Sequence, residues 1–269
     1  MKRISWYNVK IIHSGQRCEI YKYKRAIMQG REVMNKYGRK GNDQITEKKT
    51  EQNRREVLNR ARNKIIRLIS CNEDMQTFIT LTYRDNMQDL STSKEHLHLT
   101  LMKLSKTFND FKYLYVLEFQ DRGAIHYHML CNIELYFETA KHNQLKPKCQ
   151  KDFENYFREA FWQHGFCDVR NLKSEGNTNI ALYVSCYLVE DLMRLDLKGA
   201  KCYGYSRNLK KPEEIKTYTK QSPDEILIEA SKNYECKYAS SYDKKSVFGD
   251  EEFVDVVNYF DMIKKGEII

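Results

Sequence analysis

Hydrophobic and polar residues alternate along several short stretches of the chain, and this period of two is typical of β-strands. Near the start, residues 6–12 (WYNVKII) and 18–27 (CEIYKYKRAI) predict two strands that are joined by a turn at Ser14-Gly15. The other predicted strands share the pattern and lie at 76–83, 112–120, 124–133, 166–172 and 253–260. The chain therefore has enough strands to build at least one sheet.

Elsewhere the apolar residues recur every three or four positions, which predicts helices. These helices are expected at 51–70, 91–108, 150–165 and 177–192, with a further one that begins near Pro223. The helix 177–192 is expected to begin at Asn177 or Thr178, because either side chain can cap a helix N-terminus.

The order of these elements predicts an α+β fold, with an antiparallel sheet of about five strands flanked by helices. We divide the chain into three parts. Residues 1–50 form an N-terminal β-hairpin and a charged linker, residues 51–195 form the core, and residues 196–269 form a basic C-terminal α/β extension.

The charge balance narrows the range of partners. The chain has 46 Lys and Arg against 37 Asp and Glu, a formal net charge of +9, and this excess favours an anionic partner such as nucleic acid. Its 19 tyrosines suit stacking on the bases of single-stranded nucleic acid, but tyrosine is also a common strand residue.

Other features exclude whole classes of protein. The eight cysteines contain no C-x-x-C pair, which disfavours a zinc finger. No signal peptide and no run of 18 apolar residues is visible, so we expect a cytoplasmic protein with reduced thiols and no membrane association.

The stretch GAIHYHML (123–130) has two histidines in an apolar strand. Side chains alternate between the two faces of a strand, so His126 and His128 point the same way. They suit a metal site, although histidine pairs also occur as partly buried groups that hydrogen-bond within the protein. His96 and His98 form a second pair, but on the predicted helix 91–108 residues two apart do not share a face.

A turn upstream adds a carboxylate to this pair. If residues 121–123 form a three-residue hairpin loop with Gly123 in the left-handed conformation, Gln120 pairs with Ala124. Glu118 then lies opposite His126 on the same face. Two imidazoles and one carboxylate leave positions open on an ion, and with a phosphate substrate they suit Mg²⁺ or Mn²⁺.

The helix 177–192 carries Tyr183 and Tyr187, which lie one turn apart on the same face. They suit a pair of nucleophiles if a metal or a base lies nearby, because a phenol with its ordinary pKa of about 10 reacts poorly. The alternative is an ordinary buried stripe formed with Ile180 and Val184.

Three stretches, FITLTY, EFQDRGAIHYHM and NIALYVSCYLVED, together resemble the ordered motifs of HUH endonucleases over residues 76–192. The rolling-circle replication initiators of plasmids and single-stranded DNA phages are the most similar members. The resemblance implies a nickase and strand-transferase that cuts single-stranded or hairpin origin DNA through a 5′-phosphotyrosyl intermediate and leaves a 3′-OH for the polymerase.

The resemblance also implies a role for each site residue. His126 and His128 are expected to bind the divalent metal, with Glu118 as third ligand. Tyr187 is the expected first nucleophile, with Tyr183 as its partner in the closing cleavage. Related initiators commonly have Tyr-x-x-Lys at this point, whereas this chain has Cys186 and Glu190 at the two positions that correspond to the lysine.

Residues 198–211 (KGAKCYGYSRNLKK) combine basic and aromatic side chains, which suits contact with a DNA backbone and its bases. The expected DNA-binding residues are Lys198, Lys201, Arg207, Lys210 and Lys211. A solvated loop is the alternative, and either of its first two lysines could replace the missing motif lysine. The chain has no P-loop motif, so unwinding is expected to need a host helicase as well as the polymerase.

Two other functions stay open from the sequence. A relaxase or a single-strand transposase of a mobile element would use the same motifs. A non-catalytic regulator that binds origin DNA would fit the missing lysine.

Overall fold

The structure is a computed structural model, and it describes residues 5–29, 47–120, 122–141, 144–173, 179–187, 202–248 and 251–266. Contacts along the chain divide it into two compact units. We call residues 46–210 the central unit. We call the other unit, residues 1–45 together with 211–269, the flanking unit.

The central unit is an α+β structure in which five antiparallel strands form one sheet, as the sequence predicts. Its strands are β3 (Thr77–Tyr83), β4 (Tyr113–Phe119), β5 (Ile125–Cys131), β6 (Gly165–Asn171) and β7 (Tyr203–Tyr205). Its helices are α1 (Glu47–Ser70), α2 (Leu90–Thr107), α3 (Lys148–Ala160) and α4 (Ile180–Cys186). The strand order is β6-β3-β5-β4-β7.

The sheet of the central unit separates two hydrophobic cores. One core joins it to α2 and α3 around fully buried Trp162 and Tyr127. The other core joins the opposite face to α1 and α4 around Phe78, Ile65 and Val184. Side chains alternate between the two faces along each strand, so a residue's position in a strand decides which core its side chain enters.

The flanking unit contains the sheet that the two ends of the sequence build together. Its elements are β1 (Ser5–Ser14), β2 (Arg17–Gln29), β8 (Glu213–Thr217), α5 (Pro223–Ala230), β9 (Tyr234–Phe248) and β10 (Glu251–Lys264). The strand order β8-β1-β2-β10-β9 places β2 directly against β10, with Tyr21 opposite Tyr259. The N-terminal hairpin and the C-terminal extension, which were predicted as separate additions, therefore share one sheet.

Two strands of the flanking unit have no counterpart in the sequence prediction. In β9, YECKYASSYDKKSVF has few aliphatic residues, and its Tyr238 and Tyr242 are 58% and 45% exposed, so no buried apolar face indicates the strand. In β8, EEIKT has a single large apolar residue, Ile215, which is 39% exposed. Both strands are specified by pairing with a neighbour rather than by their own pattern, as β9 shows with its long ladder along β10.

The predicted helix 177–192 needs correction. Within the described residues the helix runs only from Ile180 to Cys186, and its N-cap is Asn179, whose side chain accepts a hydrogen bond from the Leu182 amide. Asn177 and Thr178, the predicted starting residues, lie outside the described residues, as do 188–192. The other predicted helices are confirmed, except that the helix predicted at 150–165 ends at Ala160, and Gly165 instead begins β6.

None of the eight cysteines, all of which are described, forms a disulfide bond with another. Over the described stretches of the chain, we find no helix with the length and apolar character that crossing a membrane requires.

Candidate functional site: a histidine hairpin and a tyrosine pair

The hairpin between β4 and β5 has the predicted loop. The Gln120 amide donates to the Ala124 carbonyl at 2.9 Å, and the Gly123 amide donates to the Gln120 carbonyl at 2.7 Å. Gly123 has a φ of 81°, in the left-handed region that glycine adopts without strain. This loop fixes the register, so Glu118 lies opposite His126 as the sequence predicts.

Both histidines of β5 project towards the face that α4 covers. On that face His126 pairs across the sheet with Thr82, and His128 pairs with Thr80. The two imidazole rings are nearly buried, with 8% and 6% of each residue exposed, and their centroids lie 6.4 Å apart. The strand alternation therefore brings both rings to one place, under the tyrosine helix.

His126 is held in its neutral form. Burial is the main reason that its pKa falls from 6.5 to about 4, and the neighbouring His128 lowers the pKa further. Its Nε2 atom is buried and meets no hydrogen-bond partner among the described residues. A buried, neutral imidazole nitrogen without a partner is the form in which histidine binds a metal ion.

His128 is held at both ring nitrogens. Its Nε2 is hydrogen-bonded to the Glu118 carboxylate, while Nδ1 lies 3.3 Å from the Thr80 hydroxyl. Phe78 stacks on the ring at a centroid distance of 5.7 Å. Glu118 is 30% exposed and can therefore move without breaking up a packed core.

The hydrogen bond between Glu118 and His128 bears on metal binding. Among the described residues, no three His, Cys, Asp or Glu side chains are arranged to hold an ion as they stand. The donor types nevertheless fit a divalent metal, because two imidazoles and a carboxylate are oxygen and nitrogen ligands with an orphaned nitrogen on His126. Binding requires the Glu118 carboxylate to leave His128 Nε2 and turn to the ion.

The tyrosine pair packs directly on this hairpin. The Tyr187 ring stacks on the His128 ring, with 4.0 Å between centroids and 23° between planes. Its hydroxyl donates to the Tyr183 hydroxyl at 2.8 Å. Val184 and Ala181, both buried, anchor α4 in the core and hold the pair in place. The spacing that also fitted a simple buried stripe therefore brings Tyr187 onto His128 and Tyr183 beside Tyr187.

Tyr187 is a poor acid in this arrangement. Burial is the first cause that raises its pKa above 10, followed by the hydrogen bond to Tyr183 and by the charge of Glu118. The positive charge of Arg170 opposes this rise. The hydroxyl therefore keeps its proton at neutral pH until another positive charge approaches it.

Sequence reasoning missed Arg170. This side chain lies on β6, donates from Nη2 to the Tyr183 hydroxyl at 2.8 Å, and is 7% exposed. In FCDVRN the alternation puts Asp168 and Arg170 on one face, which was a usable signal. It could not be used because the sequence does not reveal that β6 pairs with β3, where Arg170 stands opposite Phe78.

The predicted DNA-binding residues are described only in part. Arg207, Lys210 and Lys211 are all exposed to solvent, and the Lys210 amide donates to the Asn72 side chain at 3.0 Å. Lys198 and Lys201 lie outside the described residues, and so does Glu190. Part of this segment is the edge strand β7, which pairs with β4, rather than a loop throughout.

Part of the chain matches the model of a known protein family. No curated protein and no solved structure matches the chain. The family model of the replication-associated protein ORF2 matches residues 76–192, a span that contains β3, the histidine hairpin and the tyrosine pair. Over these residues the chain is similar to this replication-associated protein family, and the match is consistent with the resemblance to rolling-circle replication initiators.

Proposed function

We propose that the protein is a metal-dependent, site-specific nickase and strand-transferase that initiates rolling-circle DNA replication. The single observation that supports this activity is the stacking of the Tyr187 ring on His128, beside Glu118 and Tyr183. A candidate nucleophile thus stands against the candidate metal ligands, as phosphoryl transfer requires. The family match independently indicates a role in replication initiation.

The metal site would be formed by His126, His128 and Glu118. Buried His126 offers its orphaned Nε2, and Glu118 releases His128 when it turns to the ion. When bound, Mg²⁺ or Mn²⁺ supplies Lewis-acid stabilisation of the charge on a phosphate. The β4–β5 hairpin holds the two imidazoles in register on the face that carries the tyrosines, where they would hold the ion.

The tyrosines would then perform the transfer. The Tyr187 oxygen attacks the phosphorus of the scissile phosphodiester, the bond from phosphorus to the 3′ oxygen breaks, and the phenolic proton leaves the tyrosine. The products are a 5′-phosphotyrosyl link and a 3′ oxygen that takes up a proton to become a free 3′-OH. Tyr183, whose hydroxyl lies 2.8 Å from that of Tyr187, would attack in the closing cleavage. Two nucleophiles so close together suit a reaction that both opens and closes a strand.

A covalent adduct on a denaturing gel is the direct test. The protein is incubated with Mn²⁺ and single-stranded or hairpin oligonucleotides from an origin, and Tyr187→Phe is expected to abolish the first adduct. A Tyr156→Phe variant is a matched control, because Tyr156 is 50% exposed on α3 and packs on the other core. Absence of an adduct with every origin DNA tested would refute the proposed activity.

A non-catalytic regulator is the second candidate, and the direct bond between Glu118 and His128 favours it, because the three side chains are not poised around an ion. It predicts tight binding to origin DNA without cleavage in Mn²⁺. A relaxase or transposase would instead transfer the strand to a second DNA end, which the same assay detects as a recombined oligonucleotide.

A further inference from the structure

A positively charged side chain that lies outside α4 is hydrogen-bonded to the tyrosine pair. Arg170 on β6 donates from Nη2 to the Tyr183 hydroxyl at 2.8 Å, and its guanidinium lies 5.4 Å from the centre of the Phe78 ring. The stretch NIALYVSCYLVED, which contains both tyrosines, has no lysine or arginine of its own. Arg170 brings a positive charge to the tyrosine pair from β6, a strand of the sheet rather than part of α4.

The surroundings of Arg170 hold it in this orientation. Nε of Arg170 lies 3.2 Å from the Asp168 carboxylate, which also pairs with Lys146 at 2.5 Å. Arg170 is 7% exposed, whereas the Asp168 side chain is 36% exposed, so the ion pair is shielded from solvent on the arginine side only. Phe78 lies between Arg170 and His128, since it stands opposite the arginine and stacks on the imidazole.

Arginine only donates hydrogen bonds, so the Tyr183 oxygen is the acceptor of the bond from Arg170. The Tyr183 oxygen accepts from Arg170 and from the Tyr187 hydroxyl, so the Tyr187 proton points towards Tyr183. The lone pairs of the Tyr187 oxygen are therefore left for a partner outside the pair. This is the orientation that a nucleophile needs before it attacks.

We propose that Arg170 is a positioning residue that acts on Tyr187 through Tyr183. This inference rests on the proposed nickase activity, in which Tyr187 attacks first. Its consequence is that Arg170 matters for the rate of attack rather than for DNA binding, because the buried guanidinium contacts the tyrosine pair and the Asp168 carboxylate.

The test is a double-mutant cycle on the rate of adduct formation at saturating DNA, with R170Q, Y183F and the combined variant. R170Q is expected to slow the reaction by about tenfold or more, the loss typical of a hydrogen bond from a charged donor. Addition of R170Q to Y183F is expected to cause almost no further loss, because the path through Tyr183 is already gone. The DNA dissociation constant, measured by fluorescence anisotropy, should stay within about twofold because R170Q removes no DNA contact.

R158Q is the matched control, because Arg158 also lies over a phenylalanine ring, Phe166, at 5.9 Å, and should leave the rate unchanged. Thermal melting shows whether each variant is folded. If R170Q does not fold, R170K takes its place in the cycle, since it keeps the charge beside Asp168 and should retain more activity than any neutral replacement.

The possible results distinguish a failure of the role proposed for Arg170 from a failure of the proposed nickase activity. Suppose that the wild type forms the adduct. If the rate losses of R170Q and Y183F then multiply in the combined variant, or if R170Q reacts as fast as R158Q, the role of Arg170 is refuted and the proposed nickase activity stands. If the wild type forms no adduct with any origin DNA, both proposals fall together.

Discussion

The buried histidine His126 should make the metal-free protein lose stability in mild acid. Its native pKa of about 4 lies below the unfolded value of 6.5, mainly because burial disfavours the charged imidazolium. As the pH falls, the unfolded chain binds the proton first, and unfolding is therefore favoured. The stabilisation is complete above pH 6.5 and is lost as the pH falls from there towards 4.

The size of the effect follows from these two values. A shift from 6.5 to about 4 corresponds to at most about 3 kcal/mol of unfolding free energy. Between pH 7 and pH 5 the linkage relation gives about 2 kcal/mol, because at pH 5 nearly all unfolded chains but only about a tenth of native ones bind the proton. Other groups add their own pH dependence, so a variant must isolate this contribution.

The assay is urea unfolding of the EDTA-treated protein at several pH values between about 4 and 7. In H126Q the drop in unfolding free energy from pH 7 to pH 5 should be smaller than in the wild type by about 2 kcal/mol. H98Q is the control, because His98 is exposed on α2 and its replacement leaves the burial of His126 in place. If H126Q and the wild type lose stability in parallel, the desolvation of His126 has been misjudged.

Three further predictions concern packing and the metal ligands. Gly165→Ala should destabilise the protein by more than about 3 kcal/mol in urea unfolding, because an added Cβ would lie 2.1 Å from the backbone oxygen of Thr82, which cannot move without breaking the sheet. Tyr127→Phe should cost about 1 kcal/mol in the same assay, because it removes the 2.7 Å hydrogen bond between the buried Ser93 and Tyr127 hydroxyls and leaves Ser93 only the 3.2 Å bond from Tyr83; a change below the error of the fit would contradict this. Glu118→Ala should weaken Mn²⁺ binding, measured by calorimetry, by at least about tenfold, the loss that even outer partners of metal ligands cause; unchanged affinity would exclude Glu118 as a ligand.

The sequence was sufficient where local chemistry determines the structure. Gly123 fixes the loop, the loop fixes the register, and the register brings Glu118 opposite His126, so each step depends on neighbours in the chain. The spacing of Tyr183 and Tyr187 is likewise local, because Tyr187 is the C-cap of the helix that carries Tyr183. The motif order then supplied the hypothesis that the family match supports.

The sequence was insufficient where distant segments meet. The contact of Arg170 with Tyr183 depends on β6 pairing with β3, and hydrophobic alternation within a strand says nothing about its partner. The bond between Glu118 and His128, rather than Glu118 and His126, depends on side-chain rotamers that no pattern encodes. The polar strand β9 is fixed by its long ladder with β10.

The shared sheet of the flanking unit has a consequence for the order of folding. Arg17 on β2 forms its ion pair with Asp261 on β10, 244 positions further along the chain. During synthesis β10 leaves the ribosome long after residues 46–210 are complete, so the central unit can fold while β2 still lacks its neighbour. Until β10 arrives, the edge of the N-terminal hairpin is open to pairing with another chain, and the nascent protein is most exposed to aggregation in that interval.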